Sequence, residues 1–268
     1  MRHSVTYFKG KRFLTGMVIL GSLIFPQAVS EGGGLLDHLG IKTGGSMRIE
    51  TVNKIDLPKG YHEGLFIRDG KILVCNGRGF RTWVVDPEKE KIVSEIEPFG
   101  SFTEGIADDG KDLWLTDWDE KRLYRIKIEG NRIDTDFNVS VAPAHPAGIV
   151  HIKDHIYVVT WTRGPKGTKY HLIQFDLNGE MVKKRALQGI LEPAHLAWDG
   201  EFLWITSWYS QKVFKTDINT LETKGYFTSP AQKTTGIVWQ DGHFWITGTY
   251  DGLYRVKVLN DRFSDVSG

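Results

Sequence analysis

The sequence predicts an all-β fold, a five-bladed β-propeller of four-stranded antiparallel blades. Three observations predict it. A glycine-centred segment recurs along the chain, a tight turn follows it at a fixed offset, and short apolar and aromatic strands flank that turn. The glycines are Gly64, Gly105, Gly148 and Gly236, with His195 in the same slot of the fourth copy, at spacings of 41, 43, 47 and 41 residues. Four strands repeating about every 40 to 45 residues describe a propeller blade. A β-sandwich has no reason to repeat at one period.

The elements follow in order within each copy. An apolar residue comes directly after each slot: Leu65, Ile106, Ile149, Leu196 and Ile237. Next comes the turn, Asp69-Gly70, Asp109-Gly110, Lys153-Asp154, Asp199-Gly200 or Asp241-Gly242. Asp-Gly between β-patterned runs predicts a type I′ hairpin, because both central residues need positive φ. The second strand is apolar: Lys71 to Cys75, Leu113 to Thr116, Ile156 to Val159, Leu203 to Thr206 and Phe244 to Thr247. A third strand alternates, as in Arg122 to Ile126. A fourth follows in four copies, as in Lys91 to Ile96. The last copy lacks a fourth strand, whereas the stretch from Met47 to Leu57 reads as one without a copy of its own. The N-terminal strand is therefore expected to close the last blade, which leaves no open edge. In copy three, residues 163–170 form a polar insertion between the second and third strands, expected as a loop overhanging one face.

Outside the repeat, residues 1–30 read as a secretory signal peptide. Arg2, Lys9, Lys11 and Arg12 form a basic region, residues 13–25 an apolar run, and Ala28-Val29-Ser30 a cleavage site. The apolar run is short for a bilayer span of ~20 residues, with a retained anchor as the alternative. Residues 31–46 read as a flexible leader, 47–260 as the propeller and 261–268 as a C-terminal tail. These features predict a secreted or periplasmic protein that is monomeric and free of the membrane after cleavage. A net charge of +1 gives no reason to expect nucleic acid as partner. The single cysteine, Cys75, excludes a disulfide framework and sits in an apolar strand as a buried small hydrophobe.

In a propeller, the turns leading into the innermost strands ring one mouth of the central tunnel. That mouth is where a peptide or small-molecule ligand is expected. The lead-in residues here carry chemistry: Tyr61, His62 and Glu63, then Phe102, Thr103 and Glu104, with His145, His195 and Lys233 in later copies. Thirteen residues on from each slot stand Gly77, Trp118, Trp161, Trp208 and Thr249, so three tryptophans share one position at a strand end. Glu63 and Glu104 stand at one level on adjacent blades. Burial and mutual repulsion raise the pKa of such a pair, which suits a group that takes a proton from a nucleophile and returns it to a leaving group. His145 and His195 with a glutamate would resemble a catalytic zinc site in type, but no spacing supports one, so no metal or other cofactor is expected. No Ser-His-Asp arrangement or activated cysteine is readable.

The runs Tyr61-His62-Glu63-Gly64-Leu65 and Phe102-Thr103-Glu104-Gly105-Ile106 resemble the paired F-x-[QE]-G-[LI] segments of the plant and bacterial glutamine cyclotransferases. Trp118 after Leu115-Thr116, and Trp208 in Ile205-Thr206-Ser207-Trp208, are similar to that family's tryptophans in blades two and four. The resemblance covers Met47 to Val258 at low identity. It implies a five-bladed, metal-independent propeller that cyclises N-terminal glutamine to pyroglutamate with release of ammonia. By that resemblance Glu104 shuttles the proton, Glu63 is its partner, and Phe102, Trp118 and Trp208 box the substrate, with Tyr61, Trp161 and His195 as further contacts. Three places depart from the family: Ala147 stands where it usually has tryptophan, Ala194 where it has asparagine, and Thr249 where it has lysine. The alternatives from the residues alone are a non-catalytic propeller binding a ligand at the same mouth, and a metal-assisted lactonase or lyase.

Overall fold

A computed structural model describes residues 45–259. The expected signal peptide, most of the leader and the C-terminal tail lie outside the described residues. Those residues contain 21 strands, β1 (Gly45–Ser46) to β21 (Leu253–Val258), and no helix. No helix among them is long and apolar enough to cross a membrane.

Five antiparallel sheets follow the repeat. With β2 spanning Ile49–Ile55, blade one comprises β3 (His62–Arg68), β4 (Lys71–Asn76), β5 (Thr82–Asp86) and β6 (Lys91–Ile96). Blade two comprises β7 (Thr103–Asp108), β8 (Leu113–Asp117), β9 (Arg122–Glu129) and β10 (Arg132–Ser140). Blade three comprises β11 (His145–Ile152), β12 (His155–Gly164), β13 (Gly167–Asp176) and β14 (Met181–Ala186). Blade four comprises β15 (Pro193–Trp198), β16 (Leu203–Ser207), β17 (Lys212–Thr216) and β18 (Thr223–Thr228). In blade five, β19 (Thr234–Gln240), β20 (His243–Gly248) and β21 are completed by β2, antiparallel to β21 from Ile49↔Val258 to Ile55↔Leu253. The N-terminal strand thus closes the ring, as the missing fourth strand requires. One strand lies ahead of the expected start: β1 adds to blade four, parallel to β18.

The core is divided among the interfaces between blades. Successive side chains of a strand point to opposite faces, so each blade feeds two neighbours. Strand β8 illustrates this: Leu113 and Leu115 pack with Leu73 and Cys75 of blade one, whereas Trp114 packs with Ile149 and Phe175 of blade three. Five such clusters run round the ring. In the last, Trp245 and Leu253 of blade five meet Leu65 and Val74 of blade one.

The four Asp-Gly turns divide into two kinds. Asp69-Gly70 and Asp241-Gly242 have φ of 49° and 70°, and of 48° and 77°, the positive pairs that type I′ needs. In blades two and four only the glycine is left-handed, which departs from the expected type I′ turn. There the aspartate works with its side chain. Asp109 Oδ1 accepts the N–H groups of Lys111 and Asp112, and Oδ2 accepts Trp114 Nε1–H at 2.8 Å. Asp199 repeats this with Glu201, Phe202 and Trp204 Nε1–H. A longer turn leaves room for the carboxylate to satisfy its backbone donors and a buried indole together.

The insertion of blade three is not a loop. Strands β12 and β13 stay paired through Arg163↔Thr168 to Gly164↔Gly167. Its polar residues obscured a simple hairpin extension, in which backbone pairing continues beyond the buried part of the blade.

Candidate functional site

Every innermost strand carries a bulge at the same place. Pairing to the second strand slips between His62 and Leu65, Thr103 and Gly105, Pro146 and Ile149, Pro193 and Leu196, and Thr234 and Ile237. A bulge places extra residues against its partner strand and re-aims their side chains. The residues it re-aims are Glu63, Glu104, Ala147, Ala194 and Thr235, one per blade. The carbonyls that it frees find new partners. Thr116 Oγ1 donates to Ala147 O at 2.6 Å, Thr206 Oγ1 to Thr235 O at 2.8 Å, and Thr235 Oγ1 to His62 O at 2.9 Å. Each tie crosses to the next blade and fixes the height of the ring.

Four of those five bulged residues meet in one question: what faces the mouth of the tunnel. A cavity of about 450 Å³ opens there, and Glu63, Glu104, Ala147 and Ala194 all line it. Its aromatic wall is made of Tyr61, Phe102, Trp118, Trp161 and Trp208. Tyr61 and Phe102 meet edge to face at 5.5 Å, and so do Trp118 and Trp161 at 5.2 Å. Gly77 stands where three other blades have tryptophan, and a Cβ there would lie 2.4 Å from the Phe102 ring. The break in the tryptophan ring is thus the space that Phe102 occupies. Trp161 donates Nε1–H to Pro193 O at 2.7 Å, and Trp208 donates to Thr249 Oγ1 at 2.9 Å. Both indole N–H groups are therefore spent on the scaffold.

The two glutamates are buried, with 6% exposure for Glu63 and 7% for Glu104. Among the described residues nothing hydrogen-bonds either carboxylate, so the turn does not use them as backbone acceptors. The contrast with Asp117 is direct. Its Oδ2 accepts the N–H groups of Ser101 and Phe102 and its Oδ1 that of Glu120, which holds the blade-two turn. Burial pushes the Glu63 carboxyl well above the ordinary carboxylate range, Glu104 pushes it further, and Arg78 pulls it partly back. Burial raises Glu104 in the same way, reinforced by Asp117 and Asp119. Cys75, opposite the blade-one bulge, is wholly buried, and its thiol is pushed up first by burial and then by both glutamates.

His195 does not line this cavity. It is 2% exposed, and its ring fills the space that glycines leave in the two glutamate-bearing strands. A Cβ at Gly64 would lie 2.4 Å from His195 Nε2, and one at Gly105 would lie 2.6 Å from it. His195 Nδ1 lies 3.1 Å from Ile237 O, while Nε2 has no partner among the described residues. Burial lowers its pKa to about 4, so the ring is neutral and Nδ1–H is the donor. A ring across the tunnel floor explains why this copy of the repeat has no glycine. Gly64 and Gly105 yield the space instead.

Of four charged residues of the cavity, Glu192 was read only as part of the blade-four lead-in and Arg163 only as part of the blade-three insertion, while Arg78 and Asp119 were not picked out from the sequence. The repeat held a signal for three of them. Arg78 and Asp119 each follow the strand-end ring, after Gly77 and Trp118, and Glu192 occupies the slot of Tyr61 and Phe102. Lys233 shares that slot and lies over Trp208, 4.9 Å from its centroid. Among the described residues no group of three or more His, Cys, Asp or Glu side chains is placed to hold a metal ion.

No protein-family model matches the chain, and no curated protein matches it in sequence. Among solved structures it is similar to Myxococcus xanthus glutaminyl cyclase, with a TM-score of 0.67 and 16% identity over 81% of this chain and 100% of that one. It is also similar to the PQQ-bound aldose sugar dehydrogenase of Streptomyces coelicolor, with a TM-score of 0.54 and 10% identity over 81% and 100% of the two chains. These likenesses show the fold. The architecture that the cyclotransferase resemblance implied is the one observed, a propeller shared with a glutaminyl cyclase.

Proposed function

We propose that the protein is a glutaminyl-peptide cyclotransferase acting at this mouth. One observation carries the reading: two buried carboxyls, unpaired by the scaffold, share a cavity walled by Phe102, Trp118 and Trp208. The neutral α-amine of an N-terminal glutamine attacks its own side-chain amide carbon, a carbon–nitrogen bond closes the five-membered ring, and the carbonyl oxygen takes the negative charge. Glu104 accepts the proton that the amine nitrogen loses. It returns that proton to the amide nitrogen, which leaves as ammonia when its bond to carbon breaks. Glu63 keeps the shared proton of the pair, while burial, reinforced by Asp117 and Asp119, holds Glu104 at a raised pKa, which makes it a stronger base than an exposed glutamate. The aromatic wall excludes water and orients the glutamine. For the oxyanion, Trp118 is the wall tryptophan whose indole N–H has no acceptor among the described residues.

The test is ammonia release from a glutamine-initiated peptide in the presence of a chelator. We expect release that is lost in Glu104→Gln. No release from the wild-type protein, or release undiminished by that change, would sink the reading.

Ala147 and Ala194 favour a second reading, a propeller that binds a ligand here without turning it over. Two potential donors of the cyclase site are then simply missing. Ligand binding that survives Glu104→Gln and fails in Trp118→Ala, with no ammonia formed, would select it. Export is part of the proposal and rests on the basic and apolar N-terminal pattern of the sequence. The mature protein should begin at Glu31, which N-terminal sequencing reads directly.

A further inference from the structure

Charge in the cavity is layered. The acid pair lies deep, while Arg78 and Arg163 are exposed on the same walls. Each guanidinium lies over an aromatic ring of the wall, Arg78 at 4.3 Å from the Tyr61 centroid and Arg163 at 5.8 Å from that of Trp118. A guanidinium that stacks through its face keeps its edge N–H groups free, and that edge matches a carboxylate with two parallel hydrogen bonds. Neither arginine forms a salt bridge with a described residue.

The two arginines are placed by different backbone features. Arg78 has φ of 56°, left-handed for a residue with a side chain, between Gly77 and Gly79. Arg163 sits in the hairpin extension of blade three, beyond the part of β12 that the blade core requires. Asp119 and Glu192 share these walls. Glu192 is also left-handed, at φ of 48°, with Oε2 buried and unpartnered. The mouth therefore carries the acid pair at its buried end and, outside it, two exposed arginines beside exposed Asp119 and half-buried Glu192, with Arg78 also hydrogen-bonded to the Tyr61 hydroxyl. A cavity of about 450 Å³ also has room for more than one residue of a peptide.

The geometry points to a substrate with a matching charge pattern: a short peptide whose free amine enters first and whose carboxylate is held at the rim by Arg78 and Arg163. This rests on the cyclotransferase reading for the amine end and adds the substrate class. The carboxylate has two possible sources, the C-terminus of a peptide of about three residues or an acidic side chain just after the glutamine. Either presents the same group to the guanidinium edges.

The experiment compares four peptides by calorimetry and by ammonia release: Gln-Gly-Gly as free acid, the same peptide as amide, Gln-Glu-Gly-amide and Gln-Lys-Gly-amide. A parallel set beginning with alanine cannot cyclise and reports binding alone. We expect the free acid or the glutamate peptide to bind about tenfold more tightly than the neutral amide, and the lysine peptide more weakly than all. Preference for the free acid assigns the C-terminus, and preference for the glutamate peptide assigns the side chain. The preference should shrink with added salt, because both arginines are exposed. It should vanish in Arg78→Gln/Arg163→Gln, and Arg163→Lys should restore only part of it. Equal binding of all four peptides by the wild-type protein overturns the proposal, as does a preference that survives in the double variant. Failure of the cyclotransferase reading is a separate result: ammonia is then absent with every peptide, while the alanine set still reports whether the carboxylate is recognised.

Discussion

The two ends of the tunnel are built by the same five strands and differ in nearly everything else. Beyond the bulges the strands contribute Leu65, Ile106, Ile149 and Leu196, and the small cavity at that end, about 190 Å³, is lined mainly by apolar residues. Before the bulges they contribute tyrosine, phenylalanine, histidine, glutamate and lysine in one slot, and two glutamates, two alanines and a threonine in another. At one end the blades agree because packing between them fixes what fits. At the other they disagree, because the bulge has taken those side chains out of the interface and freed them from the demands of packing. Function in a repeated fold is to be sought where the copies diverge at a position that the scaffold does not bury against itself.

The largest expected effect tests that division on activity. Glu104→Gln removes the proton acceptor and should lower turnover by about 10²- to 10⁴-fold, as loss of a general base does. Two residues along the same strand, Ile106→Val should leave turnover near its wild-type value and cost about 0.5–1.5 kcal/mol of stability. Kinetics and thermal melts on both variants separate the ends. Comparable loss of turnover from the two would erase the distinction.

The scaffold was legible because packing writes it five times. The blade number, the strand order and closure by the N-terminal strand all follow from the spacing of the slots and the absent fourth strand. Glu63, Glu104 and the three strand-end tryptophans were found as deviations from that repeat, and the structure brings them to one cavity. Other features have no one-dimensional signature. The bulges were invisible because a slipped register changes no residue type. His195 read as a mouth residue because it follows the lead-in pattern, yet the bulge turns it inward to the floor. Arg163 was hidden in a polar stretch whose pairing only the hairpin geometry reveals. Asp109 and Asp199 read as turn formers, whereas their role extends to the buried indoles of Trp114 and Trp204.

The next effect probes the floor that separates the two ends. A Cβ at Gly148 would lie 2.3 Å from His195 Cα and 2.7 Å from Ala194 O, both backbone atoms that have nowhere to go. Gly148→Ala should therefore cost at least about 3 kcal/mol, the upper part of the range for overpacking. Gly110→Ala is the fitting control, with nothing near its Cβ and a φ of 89°, so its cost comes from backbone strain alone. Denaturant titration ranks the two, and a Gly148→Ala protein as stable as the wild type would show that the floor yields.

His195→Ala should be milder, about 2 kcal/mol, because a cavity replaces a ring without forcing backbone apart. Its clearer sign is in pH. The folded ring titrates at about 4 and an unfolded histidine at ~6.5. The unfolded chain therefore takes up a proton first as pH falls, and stability is lost between about 6.5 and about 4. The variant should lose that acid sensitivity. It should also move the pH profile of turnover, since the ring sets the spacing of the strands that carry Glu63 and Glu104. Melts across this range read the first effect, and an unchanged slope would mean that the ring is not buried neutral.

Glu63→Gln is the smallest effect and has the opposite sign. Its folded pKa lies well above the ~4.3 of an unfolded glutamate. The unfolded chain releases that proton first as pH rises, so the pair destabilises the protein progressively from about pH 4 up to its folded pKa. Replacing Glu63 with a neutral amide removes the group whose burial beside Glu104 causes this loss. Stability should rise by on the order of 1 kcal/mol at about pH 8 and stay unchanged near pH 4, while turnover falls because the amide cannot carry the proton that the pair shares. Thermal melts at the two pH values, set beside kinetics, test it. A stability gain coupled to a loss of turnover is what a buried acid pair kept for chemistry must give. A loss of stability at both pH values would instead make Glu63 part of the scaffold and move the boundary between the two ends of the tunnel one residue toward the mouth.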